Sequence, residues 1–363
     1  MDKEETVRLK EITDCFCSLV RIDSPSGSEA AMRIRLCELL EPLAGKGETD
    51  EAGNLRFTLP GTRPGPVCLF SSHMDTVEPG RGIAPRLDSD GRIRSDGSTV
   101  LGADDKDGIT ALIFALRRLQ EEKAPHGPLE ILFTAGEEKS LSGSARLAPG
   151  WLKAQYGWVF DGPGMPGTVY RNGVGKIGFT VTVTGKAAHA GLAPEKGINA
   201  MMLAAEGLHK FPPGRRGNAT VNYGTVSGGQ ADNIVPEKVV LTGEIRSRSY
   251  GRIEELRSEL EQVWKGSGSI CYGQGYPAYE QTDENFLRQT QAVFTAAGIP
   301  SEIKDFSAGC DANHLARLGI KVCLLAMGRS DNHTRSESTR PEYMLAMSDI
   351  AFRLMTKEWI LKK

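Results

Sequence analysis

No stretch of this sequence approaches the ~20 uninterrupted apolar residues that a membrane span requires. The longest apolar runs, such as 109–116, have the length of core helices. The first residues, Met1-Asp-Lys-Glu-Glu-Thr6, are polar and acidic. They hold nothing like the apolar segment of a secretory signal. Seven cysteines (15, 17, 37, 68, 271, 310, 323) form no Cys-x-x-Cys pair and no regular ladder. That excludes a thiolate zinc module and a disulfide framework, and points to reduced thiols in a cytoplasm. Charge of one sign is also missing: 44 basic residues stand against 46 acidic ones. Neither a nucleic-acid footprint nor a strongly anionic ligand is expected from that balance. There is no G-x-S-x-G elbow and no Walker A loop. Gly162-Pro-Gly-Met-Pro-Gly167 matches a dinucleotide loop only in form. Its two prolines, with no helical pattern behind them, make it a turn. What remains is a chain of 363 residues, too long for one comfortable core and about right for two domains.

Its rhythm supports that division. Apolar positions Val7, Ile12, Phe16 and Leu19, then the run 30–43, have helical spacing. Short apolar runs follow at 67–72, 129–134, 158–160 and 322–326, alternating with an amphipathic helix marked by Ile109, Leu112, Ile113, Leu116 and Leu119. Strands and helices alternating in this way predict a mostly parallel sheet covered on both faces. Between 176 and 283 the order becomes β-α-β-β-α-β, the split arrangement of ferredoxin-like domains. The fold class is therefore α/β, with a catalytic domain over 1–175 and 284–363 and an inserted α+β lid or dimerisation domain over 176–283.

In a mostly parallel sheet, ligands gather beyond the carboxyl ends of the strands. Acid and histidine clusters occupy that end of one strand after another: His73-Met-Asp75, Gly136-Glu137-Glu138, Asp161-Gly162 and Asp331-Asn-His333. Asp104, in Gly102-Ala-Asp-Asp-Lys-Asp-Gly108, opens a core helix on a glycine-flanked turn. Alone, His73 is more often a hydrogen-bonded structural histidine, and Glu137-Glu138 a solvated helix start. Asp104 alone reads as a cap and Asp161 as a turn residue. Their coincidence on one rim points instead to a hydrolytic site with two metal ions. Imidazole and carboxylate ligands without thiolate suit zinc, with cobalt or manganese also admissible. Asp75 is placed to hydrogen-bond the ligating imidazole of His73. Of the adjacent Glu137 and Glu138, one can ligate while the other faces the attacking water as general base.

These motifs, in this order and spacing, resemble the zinc exopeptidase family of carboxypeptidase G, aminoacylase and peptidase T. Gly-Ala-Asp104-Asp-Lys and Phe160-Asp161-Gly162 look most like its peptidase T-like branch. The resemblance implies that Asp104 bridges two metals and is followed by a cis peptide bond. It implies that His73 and Asp161 complete one metal position, and Glu138 and His333 the other. Asp75 would orient His73, and Glu137 would be the base. Ala188-His189-Ala-Gly191 looks like the family's lid segment, whose histidine supports the oxyanion. Asn233 and Arg246 match lid positions that touch substrate. His314 is a second late histidine that could compete with His333; it more readily caps or lines the site. A homodimer through the inserted domain and a small peptide substrate follow from the same resemblance. The expected activity is an aminopeptidase on short peptides. The alternatives are an N-acyl-amino-acid hydrolase or carboxypeptidase-like amidase, and an inactive binding protein.

Overall fold

The computed structural model describes residues 3–359, so 1–2 and 360–363, the outermost ends of the expected catalytic segments, lie outside it. The chain divides into two compact units. One comprises Met1–Asn172, Glu280–Phe306 and Cys310–Lys363, the other Gly173–Tyr279 with Ser307–Gly309.

The first unit opens with α1 (Lys3–Val20) and α2 (Ala30–Ala44). Next come β1 (Glu48–Thr49), β2 (Leu55–Leu59), β3 (Cys68–His73), α3 (Ala103–Glu121), β4 (Leu129–Thr134), β5 (Tyr156–Gly162) and β6 (Thr168–Tyr170). The inserted unit carries β7 (Gly175–Thr184), α4 (Ala200–Lys210), β8 (Gly214–Arg216), β9 (Ala219–Gly228), β10 (Lys238–Ser247), α5 (Tyr250–Trp264) and β11 (Gly268–Tyr272). The chain returns through α6 (Glu284–Ala296), β12 (Glu302–Lys304), α7 (Ala312–Arg317), β13 (Lys321–Ala326) and α8 (Pro341–Thr356).

The large sheet has the order β1-β2-β4-β3-β5-β13-β6-β12. Its centre, β4-β3-β5-β13, is parallel throughout, and the flanking pairs β1-β2, β2-β4 and β13-β6 are antiparallel. The mostly parallel α/β class is borne out. Every residue of β3 and β4 is buried, so both faces of these strands are covered. On α3, Ile109, Leu112, Ile113, Leu116 and Leu119 are all buried. Each contributes roughly 1.5–3 kcal/mol by leaving water. That face pins the helix, and with it the acidic N-terminus that opens onto the carboxyl ends of the strands.

The inserted unit is an antiparallel five-stranded sheet, β8-β9-β10-β7-β11, with two helices. Along β7, Phe179, Val181 and Val183 are buried, and the residues between them are more open. They share a core with Ala204 of α4 and with Leu256, Leu260 and Trp264 of α5. Asn199 caps α4, its carboxamide oxygen accepting from the backbone of Met201 and Met202. The edge strand β8 was not anticipated: three residues behind Pro212-Pro213 are too short to show a period. Among the described residues, no helix is long and apolar enough to cross a membrane.

Candidate metal centre

Each element delivers its side chain where its regular structure ends. His73 is the last residue of β3, and Asp75 lies just beyond, both fully buried. Asp75 Oδ1 lies 3.3 Å from His73 Nδ1. The same carboxylate accepts from the backbone N–H of Glu137 at 2.9 Å and of Glu138 at 3.1 Å, and from Ser26 Oγ at 2.6 Å. One side chain therefore ties the ring of His73 to the turn after β4 that carries both glutamates.

The start of α3 is not helical at Asp104 (φ −77°, ψ 99°) and Asp105 (φ −122°, ψ 33°), and the peptide bond between them is cis. Two backbone N–H groups here, of Gly102 and Asp104, donate to the buried carboxylate of Glu337 at 2.7 and 2.9 Å. A third constraint is Gly108: a Cβ there would lie 2.2 Å from the Phe160 carbonyl oxygen and 2.6 Å from Asp105 Oδ1. Only glycine lets the acidic turn sit this close to β5.

His73 Nε2 faces Asp104 Oδ1 at 3.0 Å and Asp161 Oδ1 at 3.7 Å. On the other side, His333 Nε2 lies 2.8 Å from Glu138 Oε1 and 3.4 Å from Asp104 Oδ2. Among the described residues, two groups have ligand atoms within 4.8 Å of one another: His73, Asp104 and Glu138, and His73, Asp105 and Asp161. Asp104 thus presents one oxygen to each side of the centre. The donor set suits divalent ions, being imidazole and carboxylate with no thiolate.

Burial pushes the Glu137 carboxyl well above its usual range, and the nearby Asp161 and Glu138 carboxylates add to the shift. Asp161 is raised in the same way, by burial first and then by Asp105 and Asp104. Burial would also raise Asp104, but Arg329, His333 and His73 pull it well below the ordinary carboxylate range. Hydrogen bonds to Asp104 and Glu138 lift His333 to about 10.

Several members of this centre escaped sequence reading. Asp105 accepts from the backbone N–H of His73 at 3.0 Å and from Ser72 Oγ, and Lys106 Nζ reaches the Asp75 carbonyl at 3.3 Å. Asn332 Nδ2 donates to Asp104 Oδ2 at 2.9 Å. Arg329 is buried against Asp104, Asp105, Asp107 and Asp161. Its only signal in the sequence was a lone Arg between an apolar strand and the Asp331-Asn-His333 motif.

His314, the competing late histidine, lies in α7, buried, with no hydrogen-bond partner on either ring nitrogen among the described residues. His333, by contrast, faces Glu138 at 2.8 Å and Asp104 at 3.4 Å. Burial, helped by Arg317, lowers the pKa of His314 from 6.5 to about 4. The unfolded chain therefore binds an extra proton between those values, and stability is lost as pH falls through that window. The loss is on the order of 3 kcal/mol. A His314→Phe variant should show a flatter dependence of Tm on pH between 6.5 and 4; an unchanged slope would clear His314 of this role.

In the inserted unit, His189 and Asn233 are exposed neighbours, the backbone N–H of Ala190 donating to the Asn233 carbonyl at 2.9 Å. His189 Nδ1 accepts from the backbone of Gly191 and Leu192, both at 3.2 Å. That leaves the proton on Nε2, free to donate outward. Arg246, on β10, is held by Glu244 at 2.7 and 3.2 Å. It lines a cavity of about 360 Å³ with Arg215, Arg248 and Asn218.

Residues 174–266 match the family model described as the peptidase dimerisation domain, and residues 54–174 match that of peptidase family M28. An uncharacterised protein of Bacillus subtilis, YqjE, is 32% identical over 366 residues, covering 96% of this chain and 98% of its own length. The crystal structure of aminopeptidase PepT from Bacillus cereus superposes with a TM-score of 0.89 at 31% identity, over 96% of this chain and 98% of that one. A tripeptidase structure from Staphylococcus aureus gives 0.91 at 28% identity over the same shares.

Proposed function

Because this chain belongs to the peptidase T-like family of metallopeptidases, we propose that it is an aminopeptidase that removes the first residue of short peptides with two divalent ions, zinc first among them. The observation that carries this reading is the centre itself. Asp104 turns one oxygen to His73 and the other to His333, with the buried Glu137 on the turn beside them. His73, Asp104 and Asp161 would hold one ion, and Asp104, Glu138 and His333 the other. Bound there, the ions would supply Lewis acidity to the scissile carbonyl and to the attacking water.

The chain's own residues do the rest. Glu137 takes a proton from the attacking water and returns it to the leaving amine. Asp75 keeps His73 in one tautomer and orientation. His189, with its Nε2 proton directed outward, supports the developing oxyanion, a donor typically worth ~2.7–4 kcal/mol of barrier. Asn233 and Arg246 hold the peptide, the guanidinium taking its carboxylate.

The inserted unit pairs two copies in this reading. It leaves Met201 and Met202 of α4 and Val226 of β9 exposed at 47, 67 and 69%, apolar side chains of the kind a second copy would cover. All seven cysteines are free, which fits a cytoplasmic protein. The test is hydrolysis of Ala-Ala-Ala against its N-acetylated form by metal-reconstituted enzyme. Cleavage of the free peptide alone, releasing its first residue, is the expected result. Cleavage of the blocked form alone would overturn the aminopeptidase and favour an acylase or carboxypeptidase-like amidase.

A further inference from the structure

The guanidinium of Arg329 lies inside the proposed metal centre, its side chain fully buried. It is put there by the strand before it. Beyond β13, the backbone N–H groups of Met327 and Gly328 donate to the carbonyls of Gly162 and Gly164 at 2.9 and 2.8 Å, which carries Arg329 alongside Asp161. Nη1 donates to Asp105 Oδ1 and Asp107 Oδ1, both at 2.9 Å, and to the Ala103 carbonyl at 3.2 Å. Nη2 donates to Asp161 Oδ1 and to the Asp161 carbonyl, and lies 3.3 Å from Asp104 Oδ1.

The two side-chain oxygens engaged by Nη2 are those that His73 Nε2 faces. The opposite side of the centre is untouched by it. There, Asp104 Oδ2, Glu138 Oε1 and His333 Nε2 face one another, and among the described residues Asn332 supplies the only other polar contact to Asp104 Oδ2. A fixed positive charge that holds the ligand oxygens of one position must weaken a cation there more than at the other.

We propose that Arg329 makes the two metal positions unequal, the Glu138–His333 side filling first and the Asp161 side at least tenfold more weakly. The inference rests on the metal reading above. In it Arg329 is a positioning residue that keeps Asp105, Asp107 and Asp161 paired in the metal-free chain.

The test is calorimetric titration of the metal-free protein with Zn²⁺, with bound metal counted after dialysis. Two steps at least tenfold apart in Kd are expected for the natural sequence. In Arg329→Gln the gap should close to within about threefold, whereas Arg329→Lys, which keeps the charge, should retain most of it. His333→Ala, on the more open side of the centre, should lose the tight step and leave the weak one. Equal steps in the natural sequence would overturn the proposal, as would an unchanged gap in a folded Arg329→Gln or a tight step surviving in His333→Ala. A folded natural chain that binds no Zn²⁺ would instead overturn the metal reading, and this inference with it.

Discussion

Glu137→Gln should lower kcat on Ala-Ala-Ala by about a thousandfold while bound metal and the far-ultraviolet spectrum stay unchanged. Positioned proton transfer typically contributes 10²–10⁴-fold, and the amide can neither take the proton from water nor return it. The substitution keeps the shape of the side chain. It also spares the backbone N–H through which residue 137 contacts Asp75. Glu138 is the internal control, because its carboxylate faces His333 at 2.8 Å and should matter for metal retention. Glu138→Gln should therefore lose metal as well as turnover. A loss under tenfold in Glu137→Gln, with metal retained, would remove it from the role of base.

The second large effect is expected at Asp104. Its two oxygens face different histidines, at 3.0 Å for His73 and 3.4 Å for His333, so one substitution should weaken both metal positions together. Removing an outer partner of a ligand usually costs 10–100-fold in affinity or activity. Loss of a shared ligand should exceed that. We expect Asp104→Ala to fall by at least a thousandfold in kcat/KM and to retain less than about one-tenth of the metal after dialysis. Retention of one full equivalent would show that the positions do not share this carboxylate.

Much of this site was readable because its chemistry sits at strand ends, and strand ends can be read from apolar runs. His73, Asp75, Glu137, Glu138 and Asp161 each follow such a run directly, and in the structure they converge. The inserted unit was readable for a similar reason: its elements are long enough to show their periods. What stayed hidden was pairing across distance. Arg329 meets Asp105 at a separation of 224 residues, and neither position carries a period that would announce the other. The cis bond after Asp104, expected from the resemblance, is present, but the contacts around it were not anticipated: Glu337 and the close approach of Gly108 hold Asp104 and Asp105 in non-helical backbone. Tertiary contact decided the geometry there, against local propensity.

The position of β13 in the large sheet bears on how the enzyme comes into being. This strand, near the end of the chain, lies between β5 and β6, which are made more than 150 residues earlier. A ribosome that has released β6 has therefore produced two strands with a strand-wide gap between them. The polypeptide that fills the gap also delivers Arg329 and His333. Until it emerges, the buried aspartates have no guanidinium partner and the second histidine is missing. A chain cut short before residue 321 should thus be an open, acid-lined fragment for the cell's proteases to clear, and synthesis itself keeps a half-made hydrolase from working.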